Sequence, residues 1–234
     1  MNRLFKLLGL LTLSLFIYSC QSSEKKESSE ETQETTEPSS TVAETETISE
    51  VTVINPNLAS EEELKSVGLG EQLIKQVLEN RPFITMADLD ALIQDAMVDS
   101  TERVRLYAEF FVPLNLNTTP EDEFKLIPGV GDRMAHEFEE YRPYTRIQQF
   151  RAEIGKYVDE SEIARFEKYV FVPIELNSAS EEEILAIPGV GDRMAHEFEE
   201  YRPYQSMEQF RKEIGKYVDD KELSRLERFV YLKE

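Results

Sequence analysis

The stretch Ile127-Pro-Gly-Val-Gly-Asp-Arg-Met-Ala-His-Glu-Phe-Glu-Glu-Tyr-Arg-Pro-Tyr144 occurs a second time, without a change, from Ile187 to Tyr204. The two strings lie 60 residues apart. Self-similarity at a fixed period is typical of repeat architectures, and it must be interpreted before any single element. The string therefore predicts that a large part of the chain is built from tandem units of one kind.

The similarity extends beyond this string and reaches a third, more divergent stretch upstream. Corresponding openings are found at Asn57–Leu64, Asn117–Phe124 and Asn177–Ile184. The upstream stretch has Val67-Gly-Leu-Gly70 where the next one has Pro128-Gly-Val-Gly131. We therefore predict a first copy at 51–113, a second copy at 114–173 and a third copy at 174–234.

The first 20 residues are typical of a secretion signal. Arg3 and Lys6 supply positive charge, and the apolar run Leu7–Ile17 is too short to span a bilayer. The segment ends in Tyr18-Ser19-Cys20, which resembles a bacterial lipobox and implies that Cys20 is lipidated. A lipid on Cys20 would anchor the chain to a membrane of the bacterial cell envelope, periplasmic or surface-facing. The alternative is a chance cysteine near a cleavage site.

Residues 21–50 have the composition of a linker. They contain nine Glu against two Lys and no aromatic residue, which gives a net charge of -7. Such a segment cannot bury enough apolar surface to fold, so we predict a disordered, acidic tether. Cys20 is the only cysteine of the chain, which excludes an internal disulfide.

The three copies are predicted to be all-α. Ser60, Thr119 and Ser180 each precede an acidic run, which predicts the N-cap of a first helix, with Pro120 in the first turn of that helix in the second copy. Apolar residues at helical spacing predict a second helix over 132–141, a third that buries Phe150 and Ile154, and a fourth that buries the following residues: Ile163, Phe166 and Val170. No run alternates with period two for long enough to predict a strand.

The order helix, Pro-Gly-hydrophobic-Gly, helix resembles the helix-hairpin-helix motif. The surrounding frame resembles the ComEA-type competence DNA receptors, through Asn177–Ile184, Ile187–Gly191 and Tyr201-Arg202. The resemblance implies three compact helix-hairpin-helix units, of the RuvA domain 2-like and ComEA-like kind. It also implies binding to the backbone of double-stranded DNA without reading of its sequence.

The hairpin glycines are expected to free successive backbone N–H groups at a helix N-terminus, which suits one phosphate. We expect Gly131 and Gly191 to need the conformational freedom of glycine. The alternative is that the glycines only make a tight turn. The candidate phosphate-binding residues are Gly129, Val130, Gly131 and Arg133, their counterparts Gly189, Val190, Gly191 and Arg193, and a weaker hairpin of Gly68, Leu69 and Gly70.

The charge balance opposes this ligand. The three copies contain 5, 8 and 9 basic residues against 11, 12 and 15 acidic ones, whereas DNA binding depends on Lys and Arg. The sequence leaves open a local basic stripe in which Arg142, Arg146, Arg151 and Lys156, with their counterparts in the other copy, cluster on one face. Two functions therefore stay open: DNA-backbone binding, or a structural or protein-interaction module, with an unknown partner, that has lost it.

No arrangement of residues predicts catalysis, so we expect no enzyme activity and no cofactor. The two histidines, His136 and His196, stand four residues before Glu140 and Glu200. This spacing is compatible with a helical metal pair. The first copy has Lys75 and Glu79 at these positions, which favours a solvated face of ion pairs, and we predict no metal site.

Overall fold

The same order of helices is found in each of the three copies. In a computed structural model of the chain, residues 52–96 and 99–233 are described, and all of them belong to one compact unit, Ile48–Glu234. The described residues contain twelve helices and four two-residue strands, so the predicted all-α class is confirmed. The predicted signal peptide, Cys20 and the acidic tether lie outside the described residues. The boundaries between the copies stay a prediction.

Each copy contributes four helices, and the hairpin string joins the first two of them. The first copy contains α1 Glu61–Ser66, α2 Glu71–Asn80, α3 Met86–Ala96 and α4 Ser100–Glu109. The second copy contains α5 Glu121–Phe124, α6 Asp132–Glu140, α7 Ile147–Ile154 and α8 Glu160–Phe166. The third copy contains α9 Glu181–Leu185, α10 Asp192–Glu200, α11 Met207–Ile214 and α12 Asp220–Glu227.

Each copy is closed by a short parallel pairing between its beginning and its end. The strands are β1 Leu114–Asn115, β2 Val170–Phe171, β3 Ile174–Glu175 and β4 Val230–Tyr231. β1 pairs with β2 and β3 with β4, while Ile54 bridges Phe110 in the first copy. The expectation that Val170 lies on the last helix is wrong, because the main chain of β2 pairs with β1.

The recurring Asn and Arg-Pro residues hold each copy together from within. Asn117 Nδ2 donates to the Tyr144 carbonyl at 2.8 Å, and Asn117 Oδ1 accepts from the Tyr144 N–H at 2.7 Å. Arg142 donates to the carbonyls of Leu116 and Thr119. The third copy repeats these bonds through Asn177 and Arg202. In the first copy Asn57 makes both of its bonds to Phe83, whereas Arg81 donates to the Ala59 carbonyl alone within the described residues. In all three copies the Arg–Pro peptide bond is cis.

The predicted helix caps are confirmed in two copies and wrong in one. Ser60 and Ser180 form complete capping boxes, each with the glutamate three residues later. In the second copy the N-cap is Pro120, in extended conformation, and not Thr119. Pro120 occupies the position of Ser60, so Thr119 corresponds to the buried Ala59, and its own side chain is 7% exposed.

The hairpin of the second copy is supported by a small aromatic core. In the second copy Phe138 of α6 makes edge-to-face contacts with Phe124, Phe150 and Phe166, at ring-centroid distances of 5.4, 5.1 and 5.2 Å. These four side chains are buried. Such pairs add to the stabilisation from burial itself. The core therefore fixes α6, and with it the turn that precedes α6.

Polar contacts also join the copies to one another. Arg228 of the third copy donates to the Pro113 carbonyl at 2.7 Å. The Ala87 N–H of the first copy donates to Glu123 of the second copy at 3.0 Å. Burial lowers the pKa of the Arg228 guanidinium to about 10. The copies therefore share polar contacts in addition to apolar packing.

Candidate nucleic-acid interface

The hairpin turns have the same backbone geometry in all three copies. The first glycine of each turn lies in the left-handed region, with φ of 86° at Gly68, 82° at Gly129 and 83° at Gly189. The second glycine is the N-cap of the next helix and is extended, with φ of -101° at Gly131 and -108° at Gly191. The expectation that these two need the freedom of glycine is therefore wrong. The first glycine of each turn is the strained position.

The turn leaves a run of N–H groups open at the start of α6. The Val130 N–H donates to the Ile127 carbonyl at 3.0 Å, so it is occupied, although Val130 was a candidate contact. Within the described residues, the N–H groups of Gly131, Asp132 and Arg133 have no acceptor. Free N–H groups and the helix dipole together favour an anion at such a terminus.

The third copy has the same pattern. The Val190 N–H donates to the Ile187 carbonyl at 3.0 Å. Within the described residues, the N–H groups of Gly191, Asp192 and Arg193 are without an acceptor. The identical strings therefore make identical turns, and any difference between them must come from what surrounds them.

An arginine from the last helix of the copy clamps each of these turns. Arg165 of α8 donates to the Pro128 carbonyl at 2.6 Å and forms a two-point ion pair with Glu162. Arg225 and Glu222 repeat this at Pro188. This contact between the last helix and the hairpin was not predicted from the sequence, although a Glu-x-x-Arg pattern recurs at the same place in every copy.

The predicted arginines beside the turns lie on the surface. Arg133 and Arg193 are exposed. The Arg133 guanidinium lies 5.8 Å from the ring centroid of Tyr157, whose hydroxyl is 2.7 Å from that of Tyr141. The Tyr141 contact and the nearby Glu137 raise the pKa of Tyr157. Arg133 is thus placed beside the open N–H groups, over an aromatic ring.

Carboxylates stand close to the same N–H groups. Glu137 lies one turn along α6, and its Oε2 atom is buried with no hydrogen-bond partner among the described residues. Glu197 occupies the same position in the third copy, is 9% exposed, and likewise has no partner for Oε2. A buried carboxylate at this place opposes the binding of an anion.

The predicted basic stripe does not form a free surface. Arg142 is bound to main-chain carbonyls, Arg151 pairs with Glu167, and Lys156 pairs with a neighbouring glutamate. Arg146 is exposed. Because three of its four residues are already paired, the stripe offers little positive charge to a polyanion.

The first copy keeps the turn and changes its surroundings. A groove of about 430 Å³ lies beside Gly68, Leu69 and Gly70. It is lined by Gln72 and Gln76, where the other copies have arginine and glutamate, and no basic residue lines it. The weaker hairpin of the first copy stays a prediction, and its turn lacks the arginine that stands beside the open N–H groups of the other two.

The histidines lie on exposed helix faces. His136 Nε2 is 3.7 Å from Glu140 Oε2, and the equivalent distance from His196 to Glu200 is also 3.7 Å. Over residues 52–96 and 99–233, no group of three or more His, Cys, Asp or Glu side chains is arranged to hold a metal ion. Each histidine therefore lies beside the glutamate four residues later, on a solvent-exposed helix face.

Comparison with known proteins gives one match. Residues 170–231 match the family model described as helix-hairpin-helix motif. Neither the curated proteins nor the solved structures contain a significant match to this chain. The matched residues begin in β2 and end with β4, and so take in the third copy's hairpin and all four of its helices. The third copy therefore carries a helix-hairpin-helix motif, a type of motif that indicates nucleic-acid binding in general.

Proposed function

We propose that this protein binds the backbone of double-stranded DNA without reading its sequence. The observation that carries the proposal is the open run of N–H groups after the second and the third hairpin, with an exposed arginine beside each run. The third of these hairpins lies in the segment that matches the helix-hairpin-helix motif. Each of the two later copies contributes one phosphate site. Contacts of this kind position a protein on a duplex but carry no sequence information.

The affinity is expected to be low and sensitive to salt. Each neutralised phosphate lowers log K by about 0.9 per decade of salt concentration. Two sites therefore give a slope of about -1.8, far less than that of a strongly basic DNA-binding protein. The chain's net charge of -21 also lowers the affinity, because it repels a polyanion at long range.

A membrane anchor would raise the local concentration of these weak sites. Lipidation at Cys20 and an acidic tether over 21–50 would place the copies in the cell envelope, at a distance from the lipid surface. Within the described residues, no helix is long and apolar enough to cross a bilayer. The role is that of a binding protein without enzymatic activity, in the manner of the ComEA-type receptors.

The second candidate is a structural or protein-interaction module that uses the hairpins only as turns. The neutralised stripe and the buried carboxylates of Glu137 and Glu197 favour it. The two candidates differ in whether the wild type binds duplex at all at low salt.

A titration of the purified full chain in detergent against a labelled duplex of random sequence tests the proposal. Fluorescence anisotropy at two salt concentrations gives the affinity and the slope. The double variant Arg133→Glu/Arg193→Glu should abolish binding with an unchanged circular dichroism spectrum, because both side chains are exposed. Undetectable wild-type binding at low salt would favour the second candidate. Binding that ignores salt, or that survives in the double variant, would exclude the phosphate sites.

A further inference from the structure

The two identical hairpins differ in the residue that precedes them by two positions. Before Ile127 the second copy has Lys125, in the turn that follows α5, and at the same place the third copy has Leu185. We infer that Lys125 makes the hairpin of the second copy the principal phosphate site, and that the hairpin of the third copy is much weaker. This inference rests on the proposed function and assigns it to one of two sites.

Lys125 forms an ion pair with Asp132, the carboxylate that competes with a phosphate for the N–H groups of α6. Its Nζ lies 2.8 Å from Asp132 Oδ1 and 2.8 Å from Asp122 Oδ1. This contact lowers the pKa of Asp132 and keeps its carboxylate ionised but paired. In the described structure, no N–H group of α6 donates to the Asp132 side chain. The open N–H groups of α6 therefore face a carboxylate that is ion-paired, through an ammonium group that also lies close to Asp122 and Glu121.

The third copy has the same acid without the cation. Asp192 begins α10 as Asp132 begins α6, and within the described residues no basic side chain forms an ion pair with it. Leu185 is 36% exposed and cannot replace the ammonium group. A phosphate at α10 would approach an unbalanced carboxylate as well as the buried Glu197. Repulsion between like charges at such distances weakens binding.

A second, independent observation concerns access to the turn. A Cβ atom built on Gly189 would lie 3.0 Å from Leu58 Cδ2, so a side chain of the first copy packs against the third hairpin. Around Gly129 the same test finds only the clamping Arg165, with Nη2 at 3.3 Å. A side chain of the first copy therefore lies beside the first glycine of the third hairpin, and none lies at that place beside the second hairpin.

A reciprocal exchange tests the inference, because the chain itself supplies the matched residues. The variants Lys125→Leu and Leu185→Lys are titrated, as full chains in detergent, against the same labelled random duplex at low salt. We expect Lys125→Leu to weaken binding about tenfold and Leu185→Lys to strengthen it severalfold. Lys212→Leu, at a lysine whose side chain is 79% exposed, controls for the loss of one positive charge. It should change the affinity less than twofold.

Two single variants show which of the two hairpins contributes more to duplex binding. Arg133→Gln should cost most of the affinity, and Arg193→Gln should cost little. Equal losses from these two, or no difference between Lys125→Leu and Lys212→Leu, would overturn the inference and leave the proposed function standing.

A second probe keeps the inference separate from DNA binding itself. Inorganic phosphate is added to the full chain, and the amide NMR signals of residues 131–133 and 191–193 are followed. We expect shifts in the first group at several-fold lower phosphate concentration. If the wild type fails to bind duplex but shows this order, only the proposed function falls. Shifts that are equal in both groups, larger in the second, or absent from both would overturn the assignment to Lys125.

Discussion

The first copy and the two later ones share a scaffold and differ around the hairpin. All three have a glycine with positive φ, an asparagine bound to the main chain across the copy, and an arginine bound to carbonyls. The first copy has Gln72, Gln76 and Ala96 where the second has Arg133, Glu137 and Tyr157. The recurring motif residues therefore build the turn. The residues that surround its open N–H groups differ between the first copy and the later copies.

The largest loss of stability is expected when Arg142, the arginine inside the second copy, is replaced. Arg142 donates to two carbonyls inside the second copy and its side chain is 18% exposed. Arg142→Met leaves those carbonyls without a partner, so we expect a loss of about 2–4 kcal/mol in the free energy of unfolding. Urea denaturation measures it. Arg133→Met, on the surface of the same copy, is the control and should cost less than about 0.5 kcal/mol. Similar losses in both variants would contradict a structural role for Arg142.

The loss of stability on replacing a hairpin glycine with alanine should depend on the position of that glycine in the turn. Gly189→Ala places a methyl group at positive φ and 3.0 Å from both Leu58 and Arg225, so we expect a loss of about 1–3 kcal/mol. Gly129→Ala should cost somewhat less, because only Arg165 is near. Gly131→Ala meets open space in extended backbone and should be neutral within about 0.5 kcal/mol. A thermal melt in which Gly131→Ala is the most damaging of the three would reverse this account.

The buried carboxylates offer a way to make the later copies resemble the first. Glu137→Gln and Glu197→Gln install the residue that the first copy has at Gln76 and remove a negative charge beside each set of open N–H groups. We expect the double variant to bind the random duplex about three- to tenfold more tightly, with the melting temperature little changed. Gln76→Glu provides the converse control. Unchanged affinity in the double variant would show that these carboxylates do not face the ligand.

The sequence predicted some features of the hairpins correctly and misplaced others. The exact repetition located the hairpins and predicted α6 and α10 almost to their ends, because turn residues and helical spacing are local signals. It misplaced the cap at Thr119, although Pro120 aligns with Ser60 and Ser180, because threonine is favoured at an N-cap and proline in the first turn of a helix. It assigned the strained position to Gly131 because two glycines in one turn cannot be told apart by residue type.

Other features depend on distant parts of the chain. The Arg165 clamp joins residues 37 positions apart, and the signal for it was present as a Glu-x-x-Arg pattern in each copy. The packing of Leu58 against Gly189 joins the first copy to the third, and nothing in the sequence pattern indicates it. Periodicity reports which residues are buried, but not which copies meet.

The smallest expected effect concerns the ion pair that distinguishes the two identical hairpins. Lys125 lowers the pKa of Asp132 below its ordinary value of 3.8, so the stabilisation from this pair is present above the unfolded-state pKa and disappears as the pH falls through the folded-state value. Both groups lie at the surface, so the effect on unfolding should be slight, and salt should weaken it. The carboxyl carbon of Asp132, followed by NMR between pH 2 and pH 6, should titrate at a lower pH in the wild type than in Lys125→Leu, because the variant lacks the cation that lowers the pKa of Asp132. Titration curves of Asp132 that coincide in the wild type and in Lys125→Leu would mean that Lys125 does not hold Asp132 in solution, and the difference between the hairpins would then rest on Leu58 alone.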